Sequence, residues 1–223
     1  MNNIVRLEDS DLSRYRKLST STLSDALDRL GIAGAVDGLR PTVEATSIVG
    51  RAFTVAYLPR GVAGGTVGDF LDDLGAGDVV VIDNRGRTDC TVWGNIMTEV
   101  AKRNRVEGTV IDGVNRDLAE SREIGYPVWS RHGHMRTGKD RVVLEAINVP
   151  VSLGGIRVEP GDIVCADANG VVVVPLSRAL EVLETAESVE AREDMILDEI
   201  RSGTKLSESR EKHGYHSLQT RSD

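Results

Sequence analysis

The chain is poor in cysteine. Cys90 and Cys165 lie far apart, and neither belongs to a C-x-x-C or C-x-H pattern. A disulfide framework and a zinc site are therefore not expected, and reduced cytosolic thiols are the default. No apolar run approaches the ~20 residues that a membrane-crossing helix needs, so no membrane partner is expected. The polar opening MNNIVRLEDSDLSRYRK lacks the apolar region of a secretory signal, which makes the cytoplasm the expected location. Positive charge is in deficit too. The formal net charge of −8 supplies no overall field towards nucleic acid, and no nucleic-acid partner is expected. Aromatic residues are few, but the 223 residues and their 40% apolar content suffice for one large domain with its own core.

What is present reads as alternating helix and strand, followed by a run of short strands. Residues 7–18 suggest a polar leading helix. Leu23, Ala26, Leu27 and Leu30 then fall on one helical face, with a capping box at Thr22 and Asp25 and a stop at Gly31. Residues 48–58 read as strand with Gly50 as a bulge, residues 67–74 as helix and residues 79–83 as buried strand. The four glycines of residues 61–68 do not match G-x-G-x-x-G. They are either a flexible loop or a backbone nest for an anion. Residues 126–130 read as strand. Short strands at 142–144, 149–153, 156–158, 163–166 and 171–174 are separated by tight turns and suit antiparallel pairing. Asp167 and Asn169 bracket one of those turns. A long helix over 177–200 carries a stripe of Leu180, Leu183, Ala186 and Val189, and Gly203 ends it. These elements predict an α/β fold with two sheets packed together and helices outside. One domain covers residues 1–203, and residues 204–223 form a polar, arm-like tail.

The chemistry concentrates between Trp93 and Glu120. Ile96, Met97, Val100 and Ala101 share one helical face, which puts Gly94 and Asn95 at a helix N-terminus. Residues 108–111 form a buried strand, so Arg116 and Asp117 sit just beyond a strand end, where open α/β sheets bind small ligands. Free N–H groups at a helix N-terminus favour an anion. Arg116 offers a planar fork to a carboxylate, and Asp117 offers a hard oxygen to a divalent cation such as Mg²⁺. Together they suit a small 2-oxo acid. Capping and a surface ion pair are the plainer use of Arg116, Asp117 and Glu120. Arg85 and Arg87 are either further carboxylate contacts or solvated loop. His132 and His134 are either surface residues or part of a metal site that lacks a third ligand.

Six segments span nearly the whole chain: STLSDALDRLG, GDVVVID, the WG-led helix, DGVNRDLAE, INVPVSLGG and VEPGDIVCADANGVVVVP. In this order and spacing they resemble the proteins named after regulator of ribonuclease E activity A, a family that also holds the 4-hydroxy-4-methyl-2-oxoglutarate aldolases. The resemblance implies a layered α-β-β-α sandwich of the RraA-like, swivelling β/β/α type. In the aldolase branch an Arg-Asp pair is followed by an acid three residues on, which here are Arg116, Asp117 and Glu120. The implied activity is a metal-dependent aldolase that releases pyruvate, with oxaloacetate decarboxylation alongside. Asp117 would bind Mg²⁺, Mn²⁺ or Co²⁺. Arg116, Asn95 and Glu120 would be catalytic, and Gly94, Asn95, Ile96, Met97 and Arg116 would hold the substrate. That branch usually has Asp after the WG glycine, where this chain has Asn95, and this departure together with the loop of residues 61–68 keeps open a lyase on a different 2-oxo or 3-hydroxy acid in a specialised pathway. The resemblance also implies a homo-oligomer, a trimer or a hexamer. Family members that only regulate ribonuclease E lack the Asp and the downstream acid. Others carry a demethylmenaquinone methyltransferase label, but the Gly-rich turn that such chemistry uses does not occur here.

Overall fold

The computed structural model describes residues 7–42, 47–62 and 64–215. Two helices open the described chain, α1 (Asp9–Tyr15) and α2 (Thr20–Arg29), followed by short strands β1 (Ala35–Val36) and β2 (Arg40–Pro41). The long strand β3 (Ile48–Pro59) leads through a 3₁₀ turn (Phe70–Asp73) into β4 (Asp78–Asp83). Next come α3 (Asn95–Arg103), β5 (Gly108–Asn115), α4 (Leu118–Ile124) and β6 (Val128–Gly133). Strands β7 (Val142–Ile147), β8 (Val151–Leu153), β9 (Ile156–Val158), β10 (Ile163–Ala166) and β11 (Val171–Val174) complete the sheets. Helices α5 (Ala179–Arg201) and α6 (Leu206–Lys212) close the described chain. No helix among the described residues is long and apolar enough to cross a membrane.

The fold is α/β. The main sheet runs β1-β11-β10-β3-β4-β5-β6-β2, and β7 pairs with the second half of β3. Strands β3 to β6 are parallel, while β10, β11 and β7 pair antiparallel. Strand β4 shows why these runs pair here. Val80 and Ile82 turn to one face, under the helices, and Val79 and Val81 turn to the other. That period of two suits a Val-rich strand covered on both sides. The second sheet is the hairpin β8–β9, whose Val151, Leu153 and Val158 cover Val79, Val81 and Val110. Helices α1, α2 and α5 cover Val49, Ile163, Cys165 and Val172 on the opposite face. The layers are therefore small sheet, large sheet, helices.

Several local expectations are revised. Helix α2 is capped by Ser19, whose Oγ accepts the Thr22 N–H at 3.0 Å, so the box at Thr22 and Asp25 is not the cap. A remote residue fixes the earlier start: Asp167 accepts from the Thr20 N–H at 2.9 Å and the Thr20 hydroxyl at 2.7 Å. Burial pushes the Asp167 carboxyl up, but the donors from Thr20 and Asn169 outweigh it and hold the pKa below its ordinary value. Strand β3 runs unbroken through Gly50, and its register shift falls between Ala56 and Tyr57. Gly50 is instead a close-approach position, where a Cβ would lie 2.7 Å from the Gly77 carbonyl oxygen. Residues 67–74 supply only the 3₁₀ turn. On α5, Leu180 is exposed and Val182 takes its place in the buried stripe. Beyond Gly203, α6 folds back onto α5, where Glu199 bonds Ser209 and pairs with Lys212 and His213. Of the expected tail, residues 216–223 lie outside the described residues.

Candidate active site

Trp93 and Gly94 set the geometry. The Trp93 ring is buried and stacks on Tyr126 at 6.1 Å between centroids. Its indole N–H donates to the Thr98 hydroxyl at 3.0 Å, and its carbonyl accepts the Arg116 N–H at 3.0 Å. The start of α3 is thus tied to the end of β5. Asp117 follows in a left-handed conformation, φ 59° and ψ 45°, which costs an ordinary residue ~1–2 kcal/mol but is tolerated by Asp. This turn brings the Asp117 carboxylate back to α3, where Oδ2 accepts the Asn95 N–H at 3.0 Å. Arg116 Nε lies 3.3 Å from the same oxygen.

A cavity of about 250 Å³ opens on this junction. Gly94, Asn95, Ile96, Met97 and Arg116, the residues expected to hold a substrate, all line it. Ile96 does not join the buried stripe of α3. It is 74% exposed at the cavity, while Thr98 and Ala101 are buried. The Asn95 N–H is already donated to Asp117, which leaves the amides of Ile96 and Met97, without intrahelical partners at this helix start, for an anion. The terminal nitrogens of Arg116 make no hydrogen bond among the described residues, so the fork is available. Glu120 lies exposed in the first turn of α4 and does not line the cavity.

Other candidates lie elsewhere. Arg87 forks onto Asp89 at 2.9 Å, and this bond holds the Asp89 carboxyl below its usual range. Arg85 is exposed, and neither arginine lines the cavity. His132 Nδ1 lies 2.9 Å from the Gly133 carbonyl oxygen, and the buried Nε2 of His134 has no partner. Of the Gly-rich segment, Val67 and Gly68 reach the cavity. Sequence reasoning missed Asp69, Thr91, Thr137, Gly138 and Lys139, which with Val92 and Trp93 form the rest of the wall. They arrive through long-range pairing, a parallel bridge of Thr91 with Thr137 and a bond from Thr91 N–H to the Arg136 carbonyl at 2.9 Å.

The donor set suits a cation held by few protein groups. Among the described residues no cluster of three His, Cys, Asp or Glu side chains is poised to ligate a metal. Asp117 Oδ1 takes no hydrogen bond among the described residues, so one hard oxygen remains to be offered. This fits Mg²⁺, which keeps several waters and takes few carboxylates.

Gly94 makes the junction possible. A Cβ there would lie 2.6 Å from Asp117 Oδ2 and 3.1 Å from Arg116 Nε. Gly94→Ala should therefore push both side chains off position, and any turnover at this junction should fall by ~10²-fold, the scale expected when a ~1 Å misplacement spoils a catalytic site. Steady-state kinetics beside a thermal melt would separate this from unfolding. A fully active Ala variant would mean that the junction has slack.

Residues 20–173 match the model of the RraA-like family, described as Aldolase/RraA. The chain is 38% identical over 207 residues to protein DlpA of Legionella pneumophila, covering 92% of this chain. It spans only about a third of that protein's length, 34%. It is 34% identical over 198 residues to a Halalkalibacterium halodurans protein with the provisional name 4-hydroxy-4-methyl-2-oxoglutarate aldolase, covering 85% of this chain and 90% of that one. An uncharacterized protein of Pseudomonas syringae pv. tomato has a solved structure that matches with a TM-score of 0.85 at 43% identity, over 92% of this chain and 98% of that one. By the extent of the family match and by its fold, the chain belongs to the RraA-like family.

Proposed function

We propose that this protein is a divalent-metal-dependent carbon–carbon lyase. It is a class II pyruvate aldolase that cleaves 4-hydroxy-4-methyl-2-oxoglutarate or a related 4-hydroxy-2-oxo acid, with oxaloacetate decarboxylation as a side reaction. The observation that carries this reading is the Arg116–Asp117 pair at the N-terminus of α3, on the wall of a small-molecule cavity. The provisional name of the Halalkalibacterium relative supports it.

Arg116 binds the substrate carboxylate through its terminal nitrogens and faces the oxygen on which negative charge develops. The Ile96 and Met97 amides take the remaining carboxylate charge. Asp117 would hold the cation, Mg²⁺ by preference with Mn²⁺ or Co²⁺ as substitutes. When bound, the metal would supply Lewis-acid polarisation of the 2-oxo group. Asn95 orients the substrate as a hydrogen-bond donor. Glu120, exposed and one turn into α4, is available to order water beside Asp117. Assembly as a trimer or a pair of trimers belongs to the same reading, and the exposed Ile96 at the cavity supports a subunit boundary there.

Pyruvate release from 4-hydroxy-4-methyl-2-oxoglutarate and from oxaloacetate tests the reading. Both activities should disappear in EDTA and return with Mg²⁺, Mn²⁺ or Co²⁺. Full turnover in EDTA would overturn the metal role, and release from neither substrate would overturn the lyase.

A further inference from the structure

We infer that Asp69 is the proton-transfer residue of this site. The inference rests on the aldolase reading and extends it. Cleavage of a 4-hydroxy-2-oxo acid needs a base for the 4-hydroxyl proton, and the residues around Arg116 do not offer a free one. Asn95 carries an amide, which cannot act as a base near neutral pH. Arg116 stays protonated and can only donate. Asp117 accepts the Asn95 N–H and faces Arg116 through Oδ2, and its Oδ1 is the oxygen that would hold the cation. Glu120 does not line the cavity. Among the described residues that line it, Asp69 is the only carboxylate. It makes no hydrogen bond or ion pair among the described residues, so both oxygens are free for a substrate.

The backbone around Asp69 is anchored on both sides. Two residues before it, the Val67 carbonyl accepts the hydroxyl of the buried Tyr57 at 2.7 Å. The Thr66 carbonyl accepts the Leu144 N–H of β7 at 2.8 Å. Immediately after it, Phe70 is buried and stacks on Phe53 at 6.0 Å. Asp69 thus projects from a fixed rim although its own side chain is exposed, which is the arrangement a proton carrier needs.

The step balances without an outside reagent. The Asp69 carboxylate takes the 4-hydroxyl proton and the C4 oxygen becomes a carbonyl. The C3–C4 bond breaks, and its electron pair forms the C2–C3 double bond of the pyruvate enolate, whose oxygen Arg116 faces. Solvent water protonates C3 of the enolate, giving pyruvate, and Asp69 gives up the hydroxyl proton to the hydroxide left behind, which restores the carboxylate. Oxaloacetate, which loses its C4 carboxylate as CO₂, reaches the same enolate with no hydroxyl proton to remove.

That difference supplies the test. Wild type, Asp69→Asn and Asp69→Glu are assayed for pyruvate release from both substrates under the same Mg²⁺. Asp69→Asn should lower kcat for aldol cleavage by ~10²–10⁴-fold, the usual cost of losing a general acid or base, and leave KM and oxaloacetate decarboxylation nearly unchanged. Asp69→Glu, which keeps a carboxylate, should recover part of the aldol rate. Unchanged aldol cleavage in Asp69→Asn, or an equal fall in both activities, would overturn the role of Asp69 alone. A wild type that turns over neither substrate would overturn the aldolase reading and this inference with it.

Discussion

Asp117→Asn is expected to abolish pyruvate release while leaving the fold and its thermal midpoint almost unchanged. The structural terms are small. The left-handed backbone at Asp117 is tolerated by Asn as well as by Asp. The Asn amide oxygen can still accept the Asn95 N–H, a cap worth ~1 kcal/mol. The lost ion pair with Arg116 is partly exposed and worth at most ~1 kcal/mol. The chemical term is large. Partners that merely support a metal ligand already cost ~10–100-fold when removed, so on the proposed reading loss of Asp117, the carboxylate that would hold the cation, should cost more. A second readout needs no turnover. Saturating Mg²⁺ should raise the melting temperature of wild type, since a ligand at ~100 times its Kd stabilises by ~2.7 kcal/mol, and should not raise that of Asp117→Asn. An Asn variant with wild-type turnover at the same Mg²⁺ would remove Asp117 from the metal site.

The parts of this molecule that were legible in its sequence are those whose signal is local. Val-rich and Ile-rich runs covered on both faces became β4, β5, β10 and β11 because a buried parallel or central strand has no polar side to show. Trp93-Gly94 and Arg116-Asp117 were readable because a helix N-terminus and a strand end each announce themselves within a few residues. Ile96 misled the helical stripe. It is apolar yet exposed, because it sits at the cavity and not against the core. Ser19 and Thr22 both suit an N-cap, and the contact that decides between them comes from Asp167, far along the chain. The far wall of the cavity, with Asp69 and Lys139, had no local signature at all. Pairing of β7 with β3 and the Thr91–Thr137 bridge bring it into place, and neither leaves a motif behind.

Arg116→Lys should lose most of the rate although it keeps the charge, and Arg116→Ala nearly all of it. The guanidinium does two jobs at once. Its Nε faces Asp117 Oδ2 at 3.3 Å, which aims the side chain, and its terminal nitrogens remain free to grip a carboxylate in parallel. An ammonium is a single point donor on a flexible stem, so Lys can face Asp117 or reach the substrate but cannot reproduce the fork. Each hydrogen bond to a charged group is worth ~1.5–3 kcal/mol, and ~1.4 kcal/mol is tenfold in rate, so losing one arm of the fork costs ~10–10²-fold. On the aldolase reading, removing the charge as well would leave the developing enolate oxygen without its donor, and loss of such a donor alone typically costs ~10²–10³-fold. The order wild type, Lys, Ala should therefore be steep for kcat/KM, with the larger share in kcat if Arg116 acts on the enolate and in KM if it only binds the carboxylate. The stability cost should be slight, because the ion pair with Asp117 is partly exposed. Measuring both kinetic constants for all three forms on 4-hydroxy-4-methyl-2-oxoglutarate decides the matter. A Lys variant with near-normal kcat and KM would mean that charge alone suffices at this position, and the carboxylate fork would have to be sought on another wall of the cavity.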